Sequence, residues 1–209
     1  LTLYEAGQGS GFNQLAWFIE NALPWRYESE ARKRKINLHS LIEEKASALE
    51  PAQSGLIALD WWNGNQSILH ENELSGVIVG YSLRTKPEEV YRALIEAVFF
   101  GARKIFETFI ASGMPVDEII VAGANPTKNK LMLNILANIA HMEIKVTESP
   151  YVSALGAAMY AAVAAGESSG GYETIQEAVT KMARLRNKTF LPNNVDKQTY
   201  NRLYSEYTL

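Results

Sequence analysis

Residues 121–134, VAGANPTKNKLMLN, decide how this chain is read. An apolar β-type run (Ile119, Ile120, Val121, Ala122) meets a tight turn of Gly, Asn and Pro, and a helical pattern then begins. Strand, loop and helix N-terminus in succession are a common place to hold a phosphate or a nucleotide. This loop carries a single glycine, Gly123, where a phosphate cradle usually carries several.

Downstream, the spacing predicts a helix from Asn129 to about Ala140, with Met132, Ile135, Leu136 and Ile139 on its buried face. A strand follows at Glu143–Val146. Ser149 and Pro150 then open a helix that ends near Gly166. That helix is almost all small residues, which suits tight core packing as well as it suits any functional use. Upstream, a long helix is predicted from Lys86-Pro87-Glu88 to about Ser112. Pro87 fits a first turn, Glu88 and Glu89 complement the helix dipole, and Gly113 follows the end. Val90, Leu94, Ala97, Gly101 and Ile105 share one stripe of it.

Earlier still, SGLIALDWWNGNQSILH has two short apolar runs around Asn63-Gly64, a dipeptide that tolerates positive φ, so a hairpin is predicted there. GVIVGYSL reads as a further strand. At the start, Leu15, Phe18, Ile19 and Ala22 mark a helix that Pro24 ends, and a second runs from about Glu28 to Leu49 with a candidate break near Asn37. The tail reads as a helix from Tyr172 to Arg184, a polar stretch, and a last aromatic helix with Tyr200, Leu203, Tyr204 and Tyr207. The expected organisation is a helical segment over 1–50 that continues from a missing upstream part, an α/β core over 51–167 and a helical extension over 168–209. The chain opens at Leu1 rather than Met, which is why an upstream part is expected.

Composition narrows the function classes. A net charge of -3 gives no electrostatic footprint for nucleic acid. The run Arg32-Lys33-Arg34-Lys35 is surrounded by Glu28, Glu30, Glu43 and Glu44 and reads as a solvated helix face. With no cysteine, thiolate metal sites and a cysteine nucleophile are excluded. His39, His70 and His141 are scattered and form no ligand-spaced motif. No apolar run reaches the roughly 20 residues that span a bilayer. A cytoplasmic location without a membrane partner is expected.

Four stretches carry a resemblance: SGLIALDWWNGNQSILH, TKPEEVYRALIEAVFFGARKI, NPTKNKLMLNILANIAHMEIKV and SALGAAMYAAVAAGE. They strongly resemble the C-terminal domain of the FGGY family of carbohydrate kinases, in its ribulokinase branch. The opening YEAGQGSGFNQLAWFIEN looks like that family's EAGQSAVGD…AWF passage. The resemblance implies a ribonuclease H-like α/β fold of the actin and hexokinase type, a mixed sheet flanked by helices. It implies transfer of the ATP γ-phosphate, with Mg²⁺, to the sugar L-ribulose in arabinose catabolism, and a possible homodimer. It makes 121–134 the adenosine loop, with Gly123, Ala124, Lys128 and Asn129 as nucleotide-binding residues, and gives Glu5 a reach toward the sugar. The catalytic aspartate and the Gly-Thr loops for the β- and γ-phosphates lie upstream of Leu1 in the family pattern, so no catalytic residue and no metal ligand is assigned in this chain.

The chain also departs from the family pattern. A second loop glycine is Ala124, an acid is Asn13, an arginine is Gln66, and a Gln and an Asp of the MQIYAD stretch are Asn134 and Asn138. Those exchanges leave an alternative open: a nucleotide- or sugar-binding module of the same fold with impaired catalysis, or a kinase for a different pentulose or pentitol.

Overall fold

A computed structural model describes residues 3–123 and 129–208. The described residues form eight α-helices and four short strands. They divide into two compact units, Leu1–Val116 with Asn138–His141 and Pro192–Leu209, and Asp117–Ala137 with Met142–Leu191.

The first unit is built around one helix. Helices α1 (Asn13–Asn21), α2 (Trp25–Arg34) and α3 (Leu38–Ser47) precede it. Pro24 is extended at φ -61 and starts α2, as a residue lacking an N–H donor does well. The expected break near Asn37 is present. Lys35 turns left-handed at φ 54, and the Asn37 side chain accepts from Ser40 N–H at 2.6 Å to cap α3. Removing that cap with Asn37→Ala should lower stability by about 1 kcal/mol. Urea unfolding of both proteins checks it, and equal midpoints would show that the cap contributes nothing.

The central helix, α4 (Pro87–Ala111), begins with Pro87 and Lys86 N–H bound to Glu89 Oε2 at 2.6 Å. Its predicted stripe of Val90, Leu94, Ala97, Gly101 and Ile105 is buried. Helices α1 and α3 pack on α4, as does α8 (Asn194–Tyr207), whose Tyr200, Leu203, Tyr204 and Tyr207 are all buried. Arg92 and Glu96 of α4 are buried polar groups inside this packing. His141, which the sequence left unassigned, brings its Nε2 within 2.8 Å of Asn201 Oδ1 on α8.

The hairpin predicted at Asn63-Gly64 is not formed there. Strand β1 (Ile57–Ala58) pairs antiparallel with β2 (Ile78–Val79) instead. Leu59 N–H is taken by Val77 O at 2.8 Å, so the partner strand lies beyond the dipeptide. Gly64 does use its freedom, at φ +75, but the turn is tucked inward. A methyl group on Gly64 would lie 2.7 Å from Asn72 Cα.

In the second unit, β3 (Ile119–Val121) runs parallel to β4 (Ile144–Val146), with Ile119 opposite Ile144 and Val121 opposite Val146. Helix α5 (Lys130–Ala140) connects them, as parallel pairing requires a crossover. The polar stretch after α7 (Ile175–Met182) returns along β4: Ile144 N–H binds Phe190 O at 2.9 Å and Arg186 N–H binds Val146 O at 2.8 Å. Parallel and antiparallel pairing therefore meet on β4, which gives the expected mixed sheet. Helix α6 (Val152–Ala165) packs against α7, yet only Met159 among its described residues is buried. Its alanines are exposed or half-buried.

Candidate functional site

The strand-loop-helix of the opening stretch lies in the second unit. Strand β3 ends at Val121 and α5 begins at Lys130. Gly123 has φ +105, a conformation that residues with a Cβ adopt only under strain. Ala124 and Lys128 lie outside the described residues. Asn129 Oδ1 accepts from Met132 N–H at 2.9 Å, and its carbonyl accepts from Leu133 N–H at 3.2 Å. Asn129 is thus the N-cap of α5. Its carboxamide NH₂ is not used by the cap.

Glu5 lies in the first unit, exposed, on the irregular stretch before α1. The residues that follow it are tied down one by one. Gly7 N–H donates to Ser67 Oγ, which donates back to Gly7 O at 2.7 Å. Gln8 Nε2 donates to Asp60 Oδ2 at 2.7 Å and to Val98 O at 2.8 Å. Asn63 Nδ2 donates to Gly9 O at 3.1 Å, and a methyl group on Gly9 would lie 2.3 Å from Asn63 O. Ser10 Oγ donates to Asp60 O at 2.7 Å.

Asp60 is 5% exposed and is the hub of this cluster. Its second carboxylate oxygen accepts from Tyr207 OH at 2.7 Å. Burial pushes the carboxyl above the usual carboxylate range, and the bonds from Tyr207 and Gln8 pull it back. Gly101 of α4 makes room: a methyl group there would lie 2.4 Å from Gln8 Nε2 and 2.6 Å from Asp60 Oδ2. A cavity of about 380 Å³ opens beside the cluster, walled by Ile57, Leu59, Val77 and Val79, with Lys104 and Glu206 also lining it. Neither Asp60 nor Tyr207 was read from the sequence as a site residue, although Tyr207 was placed on the last helix. The available signals were an aspartate inside the apolar run LIALDWW and a glycine on the buried stripe of a long helix.

The departures from the family pattern fall in different settings. Asn13 is the first residue of α1 and Gln66 lines the cavity. Asn134 is exposed on α5. Asn138 is 9% exposed; its Oδ1 accepts from Asn193 N–H at 2.7 Å and its Nδ2 donates to Asp196 Oδ2 at 3.1 Å. An aspartate at 138 would set two carboxylates against each other, so at this position the amide is what α8 requires. Among the described residues no three His, Asp or Glu side chains group to hold a metal ion.

The fold defines a class. A xylulose kinase from Rhodospirillum rubrum matches 97% of this chain with TM-score 0.72 at 24% identity, over 37% of its own chain. A gluconate kinase from Lactobacillus acidophilus matches 95% with TM-score 0.75 at 20% identity, over 37% of its own chain. At those identities the likeness is one of fold, the ribonuclease H-like fold of sugar kinases. Residues 1–165 match the C-terminal domain of the FGGY family of carbohydrate kinases. This chain belongs to that family. It is 49% identical over 204 residues to a ribulokinase of Halalkalibacterium halodurans and 47% identical over 205 residues to a ribulokinase of Anoxybacillus flavithermus. Each match covers 98% of this chain and 36% of the relative, so the chain spans little more than a third of the proteins it resembles.

Proposed function

We propose that this chain is the C-terminal, nucleotide-binding portion of an ATP-dependent kinase that phosphorylates L-ribulose. The observation that carries this reading is the identity of 49% to a ribulokinase across 98% of the chain. In the reaction, a sugar hydroxyl attacks the γ-phosphorus, its proton goes to a base, and ADP leaves. Catalysis of such a transfer is positioning and charge stabilisation. The base and the triphosphate loops belong to the family pattern upstream of Leu1, and Mg²⁺ would be held there and on the ATP phosphates. The described residues offer no cage for it. This chain's own contribution is to bind. Gly123, Ala124, Lys128 and Asn129 line the adenosine side, with Asn129 fixing the start of α5. Glu5 reaches the sugar from the loop that Gln8 and Ser67 hold.

Calorimetric titration of ATP into the chain tests the nucleotide assignment. Saturable binding that weakens at least threefold in Asn129→Ala is the expected result. No binding of ATP at millimolar concentration would overturn it. Ala124 gives a second, sharper expectation. Glycine there restores the family residue and removes a Cβ from the loop that the family resemblance assigns to the nucleotide. Ala124→Gly should tighten ATP binding roughly three- to tenfold, a gain below or near 1.4 kcal/mol. It should also lower the melting temperature slightly, because glycine frees the unfolded chain. Equal ATP affinities would show that position 124 does not meet the nucleotide.

A further inference from the structure

The loop that carries the candidate sugar contact, Glu5, is tied through Asp60 to a helix that the family match does not include. The match ends at residue 165, whereas α8 spans Asn194–Tyr207. We propose that Tyr207 is a positioning residue for the Glu5–Gly9 loop, acting through Asp60 and Gln8. This rests on the reading of Glu5 as a sugar contact.

The chain of contacts is short and complete. Tyr207 OH donates to Asp60 Oδ1 at 2.7 Å, and Gln8 Nε2 donates to Asp60 Oδ2 at 2.7 Å. Asp60 therefore uses one oxygen for the helix and the other for the loop. Gln8 spends its second amide hydrogen on Val98 O of α4, so its side chain has one orientation. Backbone at Gly7 and Gly9 is clamped to Ser67 and Asn63, both in the loop that follows Asp60. Glu5 itself has no such clamp among the described contacts, so its placement follows from the residues next to it. Burial and the Asp60 charge raise the Tyr207 phenol well above its ordinary range, which keeps it a donor. The Tyr207 ring packs on Phe100 at 5.5 Å and on Tyr204 at 6.2 Å between centroids. The ring thus anchors α8, and the hydroxyl is free to serve Asp60.

The two roles separate by mutation. Tyr207→Phe keeps the ring and removes only the hydroxyl. Asp60→Asn keeps one acceptor oxygen and puts an NH₂ in place of the other, so either Gln8 or Tyr207 loses its acceptor and the link between loop and helix is broken. Hydrogen exchange on the 209-residue chain is the first readout. Both variants should speed exchange in residues 5–10 roughly tenfold, about the net effect of one hydrogen bond to a charged group. Exchange in α3 should not change. The double variant should exceed neither single variant by more than about twofold, because both act on one chain of bonds. Unchanged exchange at 5–10, or additive effects in the double variant, would overturn the proposal.

Steady-state kinetics on the longer protein that contains this chain is the second readout. Tyr207→Phe should raise the sugar KM roughly three- to tenfold and leave the ATP KM within twofold. Glu5→Gln runs beside it. If Glu5→Gln leaves the sugar KM unchanged, the sugar reading of the loop fails, and exchange alone judges the positioning role. If Glu5→Gln raises the sugar KM and Tyr207→Phe does not, the positioning role is wrong.

Discussion

Glu96→Ala is expected to lower the stability of the first unit by about 3–5 kcal/mol, the range for breaking a buried ion pair from one side. Arg92 Nε donates to Glu96 Oε1 at 2.9 Å, and the two side chains are 9% and 6% exposed. Three further guanidinium hydrogen bonds go to Ala46 O at 3.2 Å, to Leu49 O, and to Tyr200 OH at 3.0 Å. Tyr200 OH in turn donates to Glu96 Oε1 at 3.2 Å. One pair thus joins the end of α3, the middle of α4 and the start of the buried face of α8. Burial raises the Glu96 carboxyl, and the donors from Arg92 and Tyr200 oppose that rise. Alanine would leave a guanidinium inside the packing with no counter-charge. Guanidinium chloride unfolding measures the loss. Replacing both partners by apolar residues of similar volume, Arg92→Met with Glu96→Leu, should recover much of it. A loss below about 1 kcal/mol in Glu96→Ala would show that the pair is solvated or dispensable.

The second large effect concerns turnover. The 209-residue chain alone should not phosphorylate L-ribulose, because the base and the triphosphate loops of the family pattern are not in it. Kinases turn over at about 1–100 s⁻¹. A coupled ADP-release assay with L-ribulose, ATP and Mg²⁺ should read background for this chain. Turnover near 1 s⁻¹ or above would mean that the chain carries catalytic groups of its own, and the division of labour proposed above would be wrong.

Sequence periodicity was a good guide where one face of a helix meets one neighbour. The long α4, the aromatic α8 and the break at Asn37 were all legible, since each depends on spacing, capping chemistry or a proline within a few residues. The strand pairing was not. Asn63-Gly64 promised a local hairpin, but Ile57 and Ala58 pair with Val79 and Ile78, some 20 residues on, a choice made by long-range contacts. The edge that residues 184–190 add to β4 was equally hidden, because a polar stretch that supplies only backbone bonds has no side-chain pattern. For the site, the family resemblance pointed to residues, while Asp60 and Tyr207 emerge only when positions 147 residues apart are brought within 2.7 Å. Asn138 shows the same limit from the other side. In sequence it is a lost acid; in the fold its amide is the donor that Asp196 accepts.

The most direct measurement of the central claim is substrate-dependent ADP release by the longer protein that contains this chain, with L-ribulose and D-xylulose compared under the same ATP and Mg²⁺ concentrations. The account predicts turnover with L-ribulose in the ordinary kinase range, kcat/KM for L-ribulose at least tenfold above that for D-xylulose, and a rise in the L-ribulose KM on Glu5→Gln. A folded, ATP-binding protein that phosphorylates neither sugar, or one that prefers D-xylulose, would contradict it.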